Sequence, residues 1–351
     1  MTMHSSGRAA NLVDVAVDAA ASMVPGVALP AQPTPADAER SGAARLSKAD
    51  RKLRLINLGA VLLPFGGFLA AALLAWGEAF NWTQAGIFIG MVLVTSFGVT
   101  VGFHRLCTHK SFKTPAVVRY LFAAAGSMAV QGPVIRWCAE HRKHHQHSDS
   151  EEDPHSPHMG ENGSWGEGFW ATLKGFYHAQ FGWLIVRRVR AGRDLAKYAK
   201  DLRADPALVA ADKHFLLWVA MGLIIPTALG GILTMSLWGA FMGFLWGGLV
   251  RIFWVHHVTW SVNSVCHLWG SKPFESHDES RNNPIVGILA MGEGWHNNHH
   301  AFPASARHGL KWWQFDASYW LIRAMSLVGL AKDINTPPRE RMERKKRKTA
   351  A

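Results

Sequence analysis

Cysteine is scarce in this chain, where only Cys107, Cys138 and Cys266 occur among 351 residues. They form no CxxC pair, so the sequence supports neither a disulfide framework nor a cysteine-based zinc or iron–sulfur site. We interpret each of them as a small buried apolar side chain. A metal site encoded by this sequence would have to use other ligands.

Charge is absent from three long stretches, residues 56–76, 84–103 and 215–250. A membrane-spanning helix needs about 20 mostly apolar residues, and the third stretch is long enough for two crossings with a turn near residues 236–239. Core helices of a soluble enzyme are the alternative, but soluble helices of this length rarely lack charge altogether. We therefore predict an all-α integral membrane protein with four transmembrane helices in two hairpins, spanning about residues 56–76, 84–103, 215–235 and 240–258.

The basic residues predict how these helices are oriented. Lys and Arg occur just before the first helix, within residues 105–213 and in the tail, whereas the two turns between paired helices carry almost none. Because cytoplasmic segments are enriched in Lys and Arg, we expect both termini and residues 105–213 on the cytoplasmic side. The tail at 339–348 has seven basic and two acidic residues, which suit anionic lipid headgroups. No helix-turn-helix or zinc-finger pattern is visible, so nucleic acid is not an expected partner.

Domain limits follow from composition. Residues 1–48 are rich in Ala, Pro, Ser and Asp and lack a sustained apolar run, so we predict a disordered arm without a signal peptide. Residues 49–335 form the predicted membrane domain, with a cytoplasmic helical cap at about 104–213 and 259–335. Residues 336–351 form the predicted basic tail.

Histidines are concentrated in three clusters and one further site. The clusters read HRLCTH, HRKHH and HNNHH, and the further site reads NSVCH. In the last two clusters, spacings of three and four residues place the histidines on one side of a helix. All four sites lie on the predicted cytoplasmic side or at its membrane boundary, so we expect the cap to hold a metal centre made of His104, His109, His141, His144, His145, His267, His296, His299 and His300, with Asn263.

The ligand type narrows the chemistry. All-imidazole sites suit zinc, copper, iron and nickel, and a structural zinc takes only four ligands. Nine histidines and an asparagine suit two metals with about five ligands each. Two such metals in a lipid-embedded enzyme favour redox chemistry, and lipids offer unactivated C–H bonds that only a strong oxidant attacks. The residues therefore indicate an oxygen-dependent di-iron enzyme that acts on acyl chains or other hydrocarbons.

These motifs resemble the membrane fatty acid desaturases. HxxxxH, HxxHH and HxxHH occur in that order, with NSxxH after the fourth predicted span, and the runs GFHRL, DPHSP, GWLIVRR and GEGWHNNHHAFP fit as well. The likeness covers residues 51–309 and is closest to the acyl-CoA Δ9, stearoyl-CoA type, in a bacterial-like form without a fused cytochrome b5 domain. Alkane and sterol-type hydroxylases share three histidine boxes but space them differently.

The resemblance implies a role for each matching residue. One iron would be bound by His104, His109, His141, His145 and His300, and the other by His144, His267, His296 and His299, with Asn263 reaching the second iron through water. No catalytic residue beyond these ligands is implied. The residues expected to contact the acyl substrate are Trp137, Glu140, Thr259 and Trp260, with Arg187 and Arg188 near the phosphates of CoA.

Two positions depart from the family pattern. Ala139 stands where animal enzymes have an arginine that helps to hold CoA, followed here by Glu140, and Gln180 replaces a common histidine. Neither position is a metal ligand. The first departure leaves open whether the acyl carrier is CoA, a lipid or a carrier protein.

The implied reaction is the O2-dependent insertion of a cis double bond, at the Δ9 position, into a saturated acyl-CoA or acyl-lipid of a bacterial cell membrane. The chain has no GxGxxG motif, no cytochrome b5 signature and no iron–sulfur cysteines, so we expect electrons from a separate ferredoxin, cytochrome b5-like protein or reductase. A related di-iron hydroxylase or alkane monooxygenase is the alternative enzyme. A metal transporter would need ionisable residues across the depth of the spans, and only Arg251 qualifies.

Several further polar residues lie near the clusters. His147, His155 and His158 could orient ligands or lie at the surface, and the carboxylates expected to hold ligand rings by their second nitrogen are Glu140, Asp149, Asp153 and Glu293. His256 and His257, where the fourth span leaves the membrane, are interpreted as polar residues of a helix end.

Overall fold

The computed structural model describes residues 48–75, 81–160, 163–186 and 195–347. The described residues do not include the predicted arm, apart from its last residue. They also do not include Arg187, Arg188 or the last four residues of the chain. Within the described part the regular secondary structure is helical, apart from a pair of two-residue strands and a few isolated bridges, and loops connect the helices.

The first half of the chain supplies two long helices and the short elements that follow them. The long helices are α1 (Lys48–Ala75) and α2 (Trp82–Phe97), and α2 continues without a break as a π-helix (Gly98–Thr108). The elements that follow are α3 (Ala116–Ser127), α4 (Val134–His147), β1 (Met159–Gly160), β2 (Gly163–Ser164), α5 (Phe169–Tyr177), a π-helical turn (His178–Gly182) and α6 (Trp183–Val186).

The second half of the chain also contains two long helices, with short elements before and after them. A 3-10 turn (Leu195–Ala199), α7 (Lys200–Arg203) and α8 (Pro206–Lys213) lead into the long helix α9 (Phe215–Thr234). The fourth long helix is built from α10 (Leu237–Gly243), a π-helix (Phe244–Val250) and α11 (Arg251–Leu268), and the remaining helices are α12 (Pro284–Leu289), α13 (His296–Ala301), α14 (Ala317–Leu327) and α15 (Arg339–Lys345).

Four of these helices are long and apolar enough to cross a membrane, as the sequence predicted. They cover Arg51–Leu74, Trp82–Thr108, Phe215–Thr234 and Leu237–Leu268. The first, second and fourth helices extend beyond their predicted limits, and Arg51, Lys52 and Arg54 lie within the first helix rather than before it. The predictions used only uncharged residues, whereas a helix continues through charged ones when its backbone bonds remain satisfied.

Met235 and Ser236 form the turn between the third and fourth long helices. Met235 adopts a left-handed conformation with φ of 49°, and the hydroxyl of Ser236 accepts a hydrogen bond from the backbone N–H of Gly239. A serine at this position satisfies an N–H group that has no partner within the helix. The turn therefore lies at Met235 and Ser236, at the start of the range 236–239 that the sequence predicted, and residues 237–239 already belong to α10.

Glycines allow these two helices to pack at very short range. A Cβ atom on Gly230 would lie 2.1 Å from the carbonyl oxygen of Gly239, and one on Gly243 would lie 2.1 Å from that of Pro226. Small residues give such contacts because helices in lipid associate through van der Waals packing rather than through water exclusion. The first long helix packs against the fourth, where Phe68 stacks on Phe253 with ring centroids 4.6 Å apart.

The segments between and after the long helices pack on the ends of the second and fourth ones. Helix α14 contacts the π-helical end of the second through a 2.8 Å hydrogen bond between the hydroxyls of Thr100 and Ser318. Helix α4 packs on the same π-helix, where Cys138 donates to the carbonyl of Phe103. These contacts bring the predicted histidine clusters to one end of the helical bundle.

We call residues 331–347 the C-terminal strap, because they run across the other segments instead of extending away from them. Near its start, Lys332 forms an antiparallel bridge with Lys113. At its end, Arg347 N–H donates to the carbonyl of Pro273, at 2.9 Å. The basic tail predicted to begin at residue 336 thus continues, through Arg347, as a packed part of the same structure. Its packing depends on long-range backbone bonds that the charge pattern does not reveal.

Candidate metal centre

The first group of histidines contains five side chains whose nitrogen atoms lie within 4.8 Å of one another. The Nε2 atom of His299 is 3.0 Å from that of His104 and 2.8 Å from that of His145. The members come from the second long helix and its end, from α4 and from α13, and they are His104, His109, His141, His145 and His299.

The second group contains four buried side chains, again with one nitrogen each within 4.8 Å of the others. The Nε2 atoms of His267 and His296 are 3.0 Å apart. The members come from α4, from the end of the fourth long helix and from α13, and they are His144, His267, His296 and His300. All nine predicted histidines therefore belong to these two groups.

The division between the groups differs from the one that the resemblance implied. His299 lies in the first group and His300 in the second, so the predicted assignment of these two residues was wrong. Consecutive residues of a helix point about 100° apart because a turn holds 3.6 residues. His299 and His300 on α13 therefore face different groups, as His145 and His144 do on α4.

Protonation of the rings fits metal binding. Burial lowers the pKa of His109, His141, His145, His296 and His299 well below the ordinary value, so these rings are neutral near pH 7. Neutral imidazole is the form that offers a lone pair to a metal. Several ring nitrogens of the groups, including Nε2 of His109, His144 and His300, are buried and have no hydrogen-bond partner among the residues that the structure describes. Two sets of inward-pointing lone pairs are what two metal ions with nitrogen ligands require.

Four carboxylates hold the other side of the ligand rings. Asp153 is 3.0 Å from Nδ1 of His144, and Asp149 is 2.8 Å from Nδ1 of His267. Asp278 and Glu293 are each 2.5 Å from an Nδ1 atom, of His300 and His104 respectively. A carboxylate at Nδ1 keeps the ring proton there, which leaves the Nε2 lone pair free for a metal.

Three of these four carboxylates were among those expected from the sequence. Glu140, the fourth expected one, instead accepts a hydrogen bond from Nε of Arg136 at 2.8 Å. Asp278 was missed, since it lies in the loop after the fourth long helix, eighteen residues before the last histidine cluster begins at His296. The only sequence signal for it is an acidic residue within a histidine-bearing segment.

Glu293 also connects the first group to a buried ion-pair network. It accepts hydrogen bonds from Nε and Nη2 of Arg105, at 3.2 and 3.0 Å, and Arg105 also contacts Asp316 at 2.9 Å. His308 lies 3.3 Å from Glu293, and its ring packs 4.4 Å from that of His299. Sequence reasoning missed His308, which belongs to no HxxH-type cluster. Breaking a buried pair of this kind typically costs about 3–5 kcal/mol.

A cavity of about 260 Å³ opens beside both groups. Its lining includes His104, His141 and His296 together with apolar side chains of the first long helix, such as Leu53 and Ile56. Four of the six residues predicted to contact substrate, and the predicted water-linked ligand, also line it: Trp137, Glu140, Thr259, Trp260 and Asn263. A largely apolar cavity that reaches a polar centre suits an acyl chain.

Hydrogen bonds fix the wall of this cavity. Nε2 of Gln131 donates to the hydroxyl of Thr259 at 2.9 Å, and Nε1 of Trp137 donates to Oε1 of Gln131 at 3.2 Å. Sequence reasoning missed Gln131. These bonds connect two predicted substrate residues from different helices and restrict their rotamers.

The remaining histidines take several positions. His155 packs 4.5 Å from His144 and lines the cavity, and His158 lies 3.0 Å from the carbonyl of His267. His147 contacts the hydroxyl of Tyr198 at 3.3 Å. His256 lies 2.8 Å from the carbonyl of Ala129, and neither it nor His257 belongs to a histidine group.

Comparison with known proteins identifies relatives along most of the chain. Residues 79–330 match the sequence model of the family described as fatty acid desaturase. An sn-1 stearoyl-lipid 9-desaturase of Synechocystis is 39% identical over 84% of this chain and 86% of its own. A hex-5-enoyl-[acyl-carrier protein] acetylenase of Moorena producens is 41% identical over 81% of this chain and 87% of its own. An icosanoyl-CoA 5-desaturase of Limnanthes douglasii is 37% identical over 72% and 65%.

Proposed function

Since the chain belongs to the fatty acid desaturase family, we propose that it inserts a cis double bond, at the Δ9 position, into a saturated long-chain acyl group by means of a di-iron centre. Membership makes the protein a fatty acyl desaturase and therefore an oxidoreductase. The observation that carries the finer proposal is the pair of histidine groups beside a largely apolar cavity that members of both groups line.

The two groups would hold one iron each. His104, His109, His141, His145 and His299 would bind the first, and His144, His267, His296 and His300 the second, with Asn263 placed at the cavity to bind through water. When bound, the iron pair would supply the oxidising power that unactivated C–H bonds require. One hydrogen leaves each of two adjacent carbons, and O2 with two electrons and two protons from outside becomes two molecules of water.

Residues of the chain would determine which carbons react. The methylene groups of an acyl chain are chemically alike, so positioning decides among them. Trp137, Thr259 and Trp260 form a wall that Gln131 holds by hydrogen bonds. The apolar cavity also keeps water from the reacting carbons, and Asp149, Asp153, Asp278 and Glu293 hold the ring protons of four ligands.

The carrier of the acyl group would be a membrane glycerolipid or CoA. The relatives include proteins named for stearoyl-lipid and for icosanoyl-CoA. Glu140, which lines the cavity, pairs with Arg136, so a cation and an anion would both face the carrier. Arg187 and Arg188 stay predictions as contacts to phosphate.

The four long helices would cross the cell membrane as two hairpins, with both termini and the histidine groups on the cytoplasmic side. The first and third helices support this proposal, because only 17% of the most apolar part of each is buried and side chains such as Leu63 and Leu216 are more than two-thirds exposed. Such surfaces are costly in water and stable in lipid. Two electrons per turnover would come from a separate ferredoxin, cytochrome b5-like protein or reductase.

Product analysis tests this proposal. We expect that aerobic expression in a host without its own desaturase, together with a ferredoxin and its reductase, yields new monounsaturated fatty acids of 16 or 18 carbons. Mass spectrometry with double-bond location would place the bond at C9. Hydroxylated chains would instead favour the related monooxygenases, and a bond elsewhere would contradict the Δ9 assignment. Separating lipid classes after a short pulse of labelled acyl-CoA would identify the carrier.

Replacing Trp260 by alanine should change the product without removing metal. The indole is buried and lines the cavity, so its loss would enlarge the cavity and loosen the fit of the acyl chain. We expect at least a fewfold loss of rate, or a shift in preferred chain length, with unchanged iron content. Trp254→Ala on the same helix, where the indole is 38% exposed, is the control. Loss of iron from the Trp260→Ala variant would refute its placement in the substrate wall.

A further inference from the structure

The C-terminal strap has a strong excess of positive charge at the surface. It contains seven basic and three acidic residues, a net charge of +4. All but one of the basic side chains are exposed, namely Lys332, Arg339, Arg341, Arg344, Lys346 and Arg347. An exposed charge cluster of one sign accelerates encounters with partners of the opposite sign.

Backbone hydrogen bonds tie the strap to the segments that carry the histidine groups. Asn335 N–H donates to the carbonyl of Ser111, two residues after His109, and the carbonyl of Asn335 accepts from Ala306. Farther along the strap, Nζ of Lys345 donates to the carbonyl of Ala301, at 2.9 Å, and Ala301 directly follows His300.

A second contact reaches the carboxylate that holds His300. The carbonyl of Lys345 accepts a hydrogen bond from the N–H of Glu275, at 2.8 Å. Glu275 is three residues before Asp278, whose carboxylate lies 2.5 Å from Nδ1 of His300. A protein bound to the outer face of the strap would therefore be separated from the second histidine group by little more than the strap and the segment beneath it.

The position of the strap favours a soluble partner over the bilayer. The fourth long helix has 32 residues and is therefore about 48 Å long at 1.5 Å per residue. The hydrocarbon layer is only about 30 Å thick. The strap pairs with Pro273 and Glu275, which follow the end of this helix at Leu268, and so lies against a segment beyond the long helices.

We propose that the C-terminal strap is the docking surface for the electron donor, an acidic one-electron redox protein. This inference rests on the proposed desaturase reaction, in which each double bond requires two electrons from outside. Two molecules of reduced donor would each lose one electron to the metal centre and dissociate in oxidised form. Charge complementarity would set the encounter rate and its dependence on salt, while the thin layer between the strap and His300 would keep the transfer path short.

The test compares two double variants that change the net charge equally. In Arg344→Glu/Arg347→Glu two exposed cations of the strap are reversed, and in Lys200→Glu/Arg203→Glu two exposed cations on α7 are reversed. Binding of a plant-type [2Fe–2S] ferredoxin to the full chain in zwitterionic nanodiscs is measured by surface plasmon resonance at several salt concentrations. We expect the strap variant to raise Kd at least tenfold and to flatten the salt dependence, with little effect of the α7 variant. In turnover, KM for reduced ferredoxin should rise in the strap variant while kcat is retained.

Three other outcomes would overturn the docking proposal. Equal weakening in both variants would mean steering by overall charge, and no change in either would place the donor elsewhere. If the strap variant lost only the stabilisation given by anionic lipid in the nanodisc, measured as a shift in Tm, the strap would be a lipid contact. A wild-type protein that binds ferredoxin through the strap but forms no alkene would contradict the proposed function and leave the docking site standing.

Discussion

Replacement of His144 or His299 by alanine is expected to reduce desaturation below detection while the protein still inserts into the membrane. The two residues lie in different histidine groups, so each variant would deprive one metal position of a ligand. These substitutions should leave the packing of the long helices intact, since the long helices pack through glycines and apolar side chains. Product analysis and metal content of the purified protein, measured together, would check the result.

His147→Ala provides the matched control for these variants. His147 lies on the same helix as His144, but it contacts Tyr198 and Glu152 and belongs to no histidine group. We expect its replacement to leave activity within about twofold, as surface substitutions usually do. Near-normal turnover of His144→Ala or His299→Ala would refute the assignment of both groups as ligands.

Asp278→Ala is expected to weaken metal binding by roughly 10–100-fold, the usual effect of losing a group that orients a metal ligand. Its carboxylate is buried and lies 2.5 Å from Nδ1 of His300. Without it, the ring could rotate or move its proton to Nε2, where the metal would bind. Titration of the metal-free protein with Fe(II) under anaerobic conditions would measure the change.

The neighbouring Glu279 supplies the control for Asp278. Its side chain is 48% exposed and pairs with Lys272 and Arg281 at the surface. Glu279→Ala should therefore bind iron as the wild type does. If the two variants weakened binding equally, the effect would come from the loop as a whole and not from the contact with His300.

The sequence predicted the long helices and the nine histidines that the two groups contain because both depend on local patterns. Four spans follow from the absence of charge, and spacings of three and four residues place His141, His144 and His145 on one side of a helix. The division between groups could not be obtained in this way, since it depends on how α13 is rotated about its axis. That rotation is set by contacts with distant segments, and the resemblance assigned His299 and His300 to the opposite groups.

Residues that act through long-range contacts were beyond sequence reasoning. Asp278, His308 and Gln131 have no periodic neighbours that would mark them, and each is defined by partners between 6 and 128 positions away. The strap is a further case, because its basic composition suggests a free tail. Its packing is shown by long-range bonds, such as the backbone bonds to Ser111 and Glu275 and the bond from Nζ of Lys345 to the carbonyl of Ala301.

The composition of the histidine groups also determines when the centre can form during biosynthesis. The first group joins His104 to His299, and the second joins His144 to His300. A chain leaves the ribosome with its N-terminal part first, so neither group is complete until residue 300 has emerged and all four long helices have been made. Metal binding by these groups would therefore be a late step, possible only after all four long helices have been made and have assembled. A truncated chain would be left with unmatched buried imidazoles, and this would make it a substrate for proteolytic quality control.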